Sequence, residues 1–167
     1  MRFLLSVFAL VFVSAPASAK ITCVQELLPG VQVHAGVHLT VSGGKVGVGA
    51  SVDALGGLGY GSWCGSMPGV AAGPFAEVNA VLSEGTSLTW GGRASVGAMV
   101  MSEAPSFFST AMASFDYGRS LGARTGTRKG LRLRSYVGDA AYSWYDEGPA
   151  VFTAGAVVPA LPLLLER

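Results

Sequence analysis

Residues 31–41, VQVHAGVHLTV, decide the fold of this chain. Their odd positions hold only Val, Ala and Leu, while their even positions hold Gln, His, Gly, His and Thr. Successive side chains of a β-strand point to opposite faces, whereas an amphipathic helix repeats about every 3.6 residues. The alternation therefore predicts a strand with one apolar face and one polar face, ended by a turn at Ser42-Gly43-Gly44.

The same period of two continues through most of the downstream sequence. In residues 45–64 the apolar side chains keep to even positions, which predicts one long strand; two shorter strands separated at Gly56-Gly57 are the alternative. Residues 106–117 fit both a strand and a helical stripe, and we favour the strand. Further alternating segments occupy residues 76–82, 88–100, 131–137 and 152–160. Together these segments predict seven or eight strands in a single domain with short connections.

The composition excludes several classes of protein. Of the 167 residues, 50% are hydrophobic and 13% are charged, which disfavours long disordered, collagenous or strongly nucleic-acid-binding sequences. All 24 glycines follow residue 19, and beyond that residue ten Lys and Arg stand against ten Asp and Glu. Because this balance leaves no basic field, we expect no nucleic-acid partner.

The N-terminus has the three parts of a secretory signal. Met1-Arg2 is positively charged, residues 3–13 are apolar apart from Ser6, and Ala17-Ser18-Ala19 supplies the small residues of a cleavage site. The apolar run is about half the ~20 residues that a transmembrane helix needs. We therefore predict a cleaved signal peptide at residues 1–19 and a single domain at residues 20–167.

A signal peptide followed by alternating segments, apolar on one face and polar or glycine on the other, resembles the small bacterial outer-membrane β-barrels of the OmpA and OmpX type. The resemblance covers nearly all of residues 20–167. It implies an all-β fold, a closed antiparallel up-and-down β-barrel of about eight strands, with the apolar face towards lipid. Closure also follows from physics, because a sheet edge in hydrocarbon has no water to bind its backbone groups. The alternative is a soluble exported β-sandwich or barrel whose apolar face is a core and which binds a ligand or partner.

Charged residues on the polar face are candidates for a network in the lumen. They carry both signs, so they can neutralise one another inside a narrow barrel, and glycine and serine between them leave room. In the soluble alternative the same residues face water. The predicted lumen network consists of Asp53, Glu77, Arg93, Asp116, Arg132 and Arg134.

A second cluster of basic residues lies where glycine and serine suggest a loop running into a strand. It contains no acidic residue, and a basic loop at a membrane surface attracts lipid phosphates. Outer-membrane lipid or lipopolysaccharide is therefore the expected partner, and a solvated turn without a ligand is the alternative. The candidate lipid contacts are Arg119, Arg124, Arg128 and Lys129.

Cys23 and Cys64 are the two cysteines. An exported protein folds where thiols are oxidised, so we expect a Cys23–Cys64 disulfide, with two free thiols as the alternative. In a barrel the two residues reach the same side only if residues 45–64 are one long strand. Neither cysteine has a Cys or His at a ligand spacing, and no metal site is expected.

Catalytic signals are weak in this sequence. His34 and His38 lie about 13 Å apart on one strand, which is too far for one metal or a catalytic dyad. His38-Leu39-Thr40 resembles the His-x-Ser spacing of outer-membrane lipid hydrolases only with Thr in place of Ser, so a lipid A-modifying enzyme is a distant alternative. We expect a non-enzymatic barrel without a cofactor, serving envelope integrity, surface interaction or porin-like passage of small solutes.

Overall fold

A computed structural model describes residues 25–61, 65–101 and 107–160 of the chain. These residues form eight β-strands, and none of them forms a helix long and apolar enough to cross a membrane. The strands are β1 (Glu26–Ser42), β2 (Lys45–Gly61), β3 (Met67–Val81), β4 (Gly85–Met101), β5 (Phe107–Gly122), β6 (Gly126–Ser135), β7 (Gly138–Tyr145) and β8 (Val151–Pro159). The signal peptide, Cys23 and Cys64 lie outside the described residues, so the predicted cleavage and disulfide stay predictions.

The strands close into an antiparallel up-and-down barrel. Each strand pairs with the next along the chain, and β8 pairs with β1 to complete the ring. The predicted all-β barrel of eight strands is confirmed, and a two-sheet sandwich is excluded. Two local predictions are also confirmed: β2 is one strand from Lys45 to Gly61, and β5 is a strand rather than a helix.

The register fixes the tilt of the strands. Following hydrogen-bonded partners around the ring leads from Leu28 through Gly59, Gly69, Gly97, Met112, Arg134, Asp139 and Gly155 back to β1 at His38, ten residues further along. Ten residues correspond to about 33 Å along the strands, against about 38 Å across eight strands. The strands are therefore tilted by about 40° from the barrel axis, as expected for a small closed barrel.

The two ends of the barrel differ. The short turns at residues 43–44, 82–84, 123–125 and 146–150 all lie at one end, which we call the hairpin end. The opposite end, where β1 begins and β8 finishes, is the terminal end. Strands β1 to β5 have 15–17 residues and β6 to β8 have 8–10, so β1 to β5 extend further at the terminal end.

The alternating sequence places apolar side chains outside and polar side chains inside. In β1, for example, Val37 and Leu39 are exposed, while His38 and Thr40 between them are buried. The outward side chains are largely apolar around the whole ring, and polar side chains fill the lumen towards the hairpin end. We call the outward surface of the strands the outer wall. This distribution is the reverse of that of a soluble protein, where polar groups face water and apolar groups form the core.

Candidate functional site in the barrel lumen

Two layers of side chains fill the lumen. Nearer the terminal end is an apolar layer. Nearer the hairpin end is a charged layer, to which β2 contributes from its odd positions and β6 from its even positions. The apolar layer contains Leu28, Leu55, Met67, Ala71, Met99 and Met112. The apolar layer separates the charged layer from the terminal end.

Arg93 lies at the centre of the charged layer. Its Nε donates to Asp116 Oδ1 at 2.6 Å and its Nη2 donates to Asp116 Oδ2 at 2.9 Å, which is a two-pronged pairing. The remaining nitrogen, Nη1, pairs with Asp53. The guanidinium also stacks over the ring of Phe75, 4.9 Å from its centroid. One arginine therefore joins strands β2, β3, β4 and β5 inside the barrel.

The carboxylate of Asp53 accepts hydrogen bonds from three side chains. Besides Arg93, it accepts from Arg134 Nη2 at 2.8 Å and from His34 Nδ1 at 2.8 Å. A carboxylate only accepts hydrogen bonds, so the bond to Asp53 requires a proton on His34 Nδ1, and the Nη1 of Arg134, 3.0 Å from the same nitrogen, is then in contact with it without a hydrogen bond. The carboxylate thus holds β1, β4 and β6 together at one point.

Glu77 is the second centre of the layer. It accepts from Arg132 Nη2 at 2.6 Å and lies 3.2 Å from Arg128 Nη1. Arg132 continues to Asp116, with its Nε at 3.4 Å, and also pairs with Asp139 on β7. The ion pairs therefore form one connected network across the lumen.

The charges of this network balance. It holds four arginines and four carboxylates, so the formal charges of these eight side chains sum to zero: Arg93, Arg128, Arg132 and Arg134 against Asp53, Glu77, Asp116 and Asp139. Their side chains are at most 4% exposed. A buried charge without a partner is very costly, so this balance is what allows so many ionised groups inside one barrel.

A chain of neutral groups extends the network towards β1. Asn79 donates from Nδ2 to Glu77 at 2.8 Å, and its Oδ1 accepts from Thr40 Oγ1 at 2.8 Å and from His38 Nε2 at 2.8 Å. The His38 proton therefore lies on Nε2, and Nδ1 has no partner among the described residues. Gly49 makes room for this contact, because a Cβ there would lie 2.3 Å from His38 Nε2.

All six residues predicted for the lumen network are brought together by the structure. Arg128, Asp139, His34, His38 and Asn79 join them without having been predicted. Arg128 was assigned to lipid contact, and this assignment is wrong: it is 0% exposed and binds Glu77. It shares the inward phase of β6 with Arg132 and Arg134, so strand alternation carries its guanidinium into the lumen.

Arg124 is also wrongly assigned to lipid contact. Its side chain is buried at the hairpin end, where it binds Glu84, Ser42 Oγ and, at 2.9 Å, the carbonyl oxygen of Pro149. Its guanidinium lies over the ring of Tyr145, 5.4 Å from the centroid. This arginine thus connects all four hairpins, and its hydrogen bond holds the pKa of Glu84 below its ordinary value.

The other two candidate lipid contacts, Arg119 and Lys129, lie exposed on the outer wall. Within the described residues, no group of three or more His, Cys, Asp or Glu side chains is arranged to hold a metal ion. No family model matches the chain, and comparisons with curated proteins and with solved structures gave no match either.

Proposed function

We propose that this chain is a membrane-spanning barrel of the small outer-membrane type, without enzymatic activity and with a closed lumen, serving envelope integrity or surface interaction. The observation that carries the proposal is the inverted distribution of polarity, with an apolar outer wall on every strand around a lumen that holds a charge-balanced network of ion pairs. The exposed apolar side chains include one or more from each strand: Leu39, Val48, Val70, Val96, Tyr117, Leu133, Tyr142 and Phe152.

Lipid is the environment that such a wall fits. Soluble monomers rarely expose a contiguous apolar patch of more than a few hundred Å². Hydrocarbon also requires that every backbone polar group be paired within the protein. The closed ring meets this requirement at the heights where all eight strands run side by side, because each strand there is paired on both edges. A soluble exported barrel with this wall would present it to water and aggregate.

Exposed aromatic residues support the same interpretation. The register and the tilt place one group of aromatic side chains near the hairpin end, and its members differ in height along the barrel axis by no more than about 6 Å. Tyr60 lies about 25 Å nearer the terminal end, a separation that matches the apolar band of about 25 Å between the aromatic girdles of membrane barrels. The group at the hairpin end consists of the exposed Trp90, Tyr117, Tyr142 and Phe152 and the half-buried Trp144.

The filled lumen favours a structural or interaction role over passage of solutes. Asp116, Arg128 and Thr153 are 0% exposed, although they point into the barrel from three different strands. Side chains that line a water-filled channel keep solvent-accessible surface, as in the larger porins. We therefore propose that the barrel conducts neither ions nor small solutes, in contrast to the porin-like passage expected from the sequence.

Reconstitution tests this proposal. The protein is refolded with and without non-ionic detergent, mixed with phosphatidylcholine vesicles and examined by a heat-modifiable gel shift. We expect folding only with detergent or lipid, insertion into vesicles, and no ion conductance across a planar bilayer. Folding to a soluble monomer in plain buffer would support the soluble alternative instead. Release of acyl chains from lipid A, abolished by His38→Ala, would overturn the non-enzymatic assignment.

A further inference from the structure

Exposed charges are rare on the outer wall, and two of them lie together. Among the strand residues that the structure describes, the exposed charged side chains are Glu26, Lys45, Arg119 and Lys129. Glu26 and Lys45 are the first residues of their strands. Arg119 and Lys129 are three residues inside β5 and β6, on the apolar wall itself.

The register places these two cations side by side. Arg119 pairs with Thr127 across the β5–β6 interface, and Lys129 pairs with Tyr117, so the two residues are diagonal neighbours on one face. Diagonal Cα atoms in an antiparallel pair are about 7–8 Å apart. Two long cationic side chains at this spacing can reach one common anion.

Aromatic side chains flank the pair on both sides. Trp90 of β4 lies opposite Arg119, and Trp144 of β7 lies opposite Lys129. The register and the tilt put all four residues at the height of the aromatic group near the hairpin end. At that level a membrane barrel meets the lipid headgroups, where long basic side chains extend to phosphate.

Neither cation is held in an ion pair by the described part of the protein. No described carboxylate lies within ion-pairing distance of Arg119 or Lys129, whereas Arg93, Arg124, Arg128, Arg132 and Arg134 all have such partners. The exposed carboxylate of Asp146 interacts electrostatically with Lys129 without forming an ion pair, and it accepts a hydrogen bond from the backbone nitrogen of Thr127 at 3.1 Å. The pair therefore leaves room for an external anion.

We propose that Arg119 and Lys129 together bind the phosphomonoester of an anionic membrane lipid headgroup, which names the lipid contact of the proposed membrane barrel and rests on that function. The Arg119 guanidinium offers two parallel donors to two phosphate oxygens, and the Lys129 ammonium binds a third. Trp90 and Trp144 pack beside the glycerol or sugar and the first acyl carbons. A lipid phosphate makes contacts with both the two cations and the two tryptophans, whereas free phosphate makes contacts with the cations alone.

The test compares three variants of the full-length barrel purified in non-ionic detergent. Arg119→Gln/Lys129→Gln removes the pair, and each single substitution removes half of it. Lys45→Gln is the matched control, because Lys45 is an exposed cation at the same end that pairs with Glu84 at 3.6 Å. Native mass spectrometry measures binding of phosphatidic acid, with phosphatidylcholine and inorganic phosphate as the comparison probes.

We expect phosphatidic acid to bind the double variant about 20-fold more weakly than wild type, with Lys45→Gln unchanged. Equal binding by wild type and the double variant, or equal binding of phosphatidylcholine by wild type, would show the proposal to be wrong. Displacement of phosphatidic acid by an equal concentration of inorganic phosphate would overturn the assignment to lipid. Insertion into vesicles is measured separately: if wild type inserts without this preference, only the headgroup site fails, and if it does not insert, the membrane function fails.

Discussion

The guanidinium of Arg93 binds both carboxylate oxygens of Asp116 across the β4–β5 interface, at 2.6 and 2.9 Å. Both side chains are at most 1% exposed, so this pair lies where water cannot replace a lost partner. Because Arg93 also pairs with Asp53, its removal would deprive Asp116 of its two-pronged partner and leave Arg134 as the only arginine paired with Asp53, with one uncompensated negative charge in the layer. Stability of the barrel should therefore depend on this arginine far more than on any exposed ion pair.

We expect Arg93→Met to lower the free energy of unfolding by about 3–5 kcal/mol, the usual cost of leaving a buried charge uncompensated. Lys45→Met is the control, since it breaks only the exposed pair with Glu84 and should cost about 1 kcal/mol or less. Urea unfolding of the barrel in vesicles measures both. If Arg93→Met/Asp116→Leu is as unstable as the sum of its single variants, the two side chains do not interact as proposed.

Gly49→Ala should disturb the chain of contacts from His38 to Asn79. A Cβ at this position would lie 2.5 Å from the backbone oxygen of Val78 as well as 2.3 Å from His38 Nε2, and the backbone of a closed barrel cannot move away easily. We expect a loss of about 1–3 kcal/mol in the free energy of unfolding. Gly92→Ala is the matched control, because nothing lies within 4 Å of a Cβ there. Equal stability of the two variants would contradict the close packing of the lumen.

The strands and most of the charged layer could be predicted because both follow from one alternation. Once residue 53 is inside, every second residue of β2 is inside, and the same rule applied to β3, β4, β5 and β6 selects Glu77, Arg93, Asp116 and Arg132. Arg128 was missed because nearby glycines suggested a loop, although it shares the phase of Arg132. The phase was the better signal, since β6 already begins at Gly126.

Other members of the layer could not be read from local sequence. Asp139 follows a turn at residues 136–137 that resets the alternation. Whether its side chain faces the lumen or the outside therefore depends on the length of that turn. The contact of His34 with Arg134, 100 residues away, arises because the ten-residue offset of the ring brings β1 and β6 to the same height. Such an offset is a property of all eight registers together and is not encoded in any one strand.

The pair between Glu84 and Arg124 predicts a dependence of stability on pH at the hairpin end. Arg124 lowers the pKa of Glu84 in the folded barrel below its ordinary value of 4.5. The stabilisation is therefore fully present above pH 4.5 and is lost as the pH falls through the lower, folded-state pKa. Since the pair is partly exposed, we expect at most about 1 kcal/mol.

Glu84→Gln measures this contribution together with that of the weaker, exposed pair between Lys45 and Glu84. At pH 7 the variant should unfold at a lower urea concentration than wild type, and the difference should vanish once the pH falls below the folded-state pKa of Glu84. High salt should also reduce the difference, because partly exposed pairs are screened. A difference that stays the same at pH 7 and at strongly acidic pH would mean that packing of the turn, rather than the ion pair, accounts for the effect.

Two exposed leucines at different heights along the barrel axis test whether the outer wall faces lipid. Leu133 lies in the middle of β6 and is 57% exposed, while Leu82 lies in the turn at the hairpin end and is 74% exposed. In water both substitutions to arginine would be nearly neutral. In a membrane, a cation at the depth of Leu133 costs about 2–4 kcal/mol, and near the headgroups it costs about 0–1 kcal/mol. We therefore expect Leu133→Arg to insert poorly into phosphatidylcholine vesicles and to unfold at lower urea, while Leu82→Arg behaves like wild type. Equal and small effects of the two variants would argue that this wall does not face lipid.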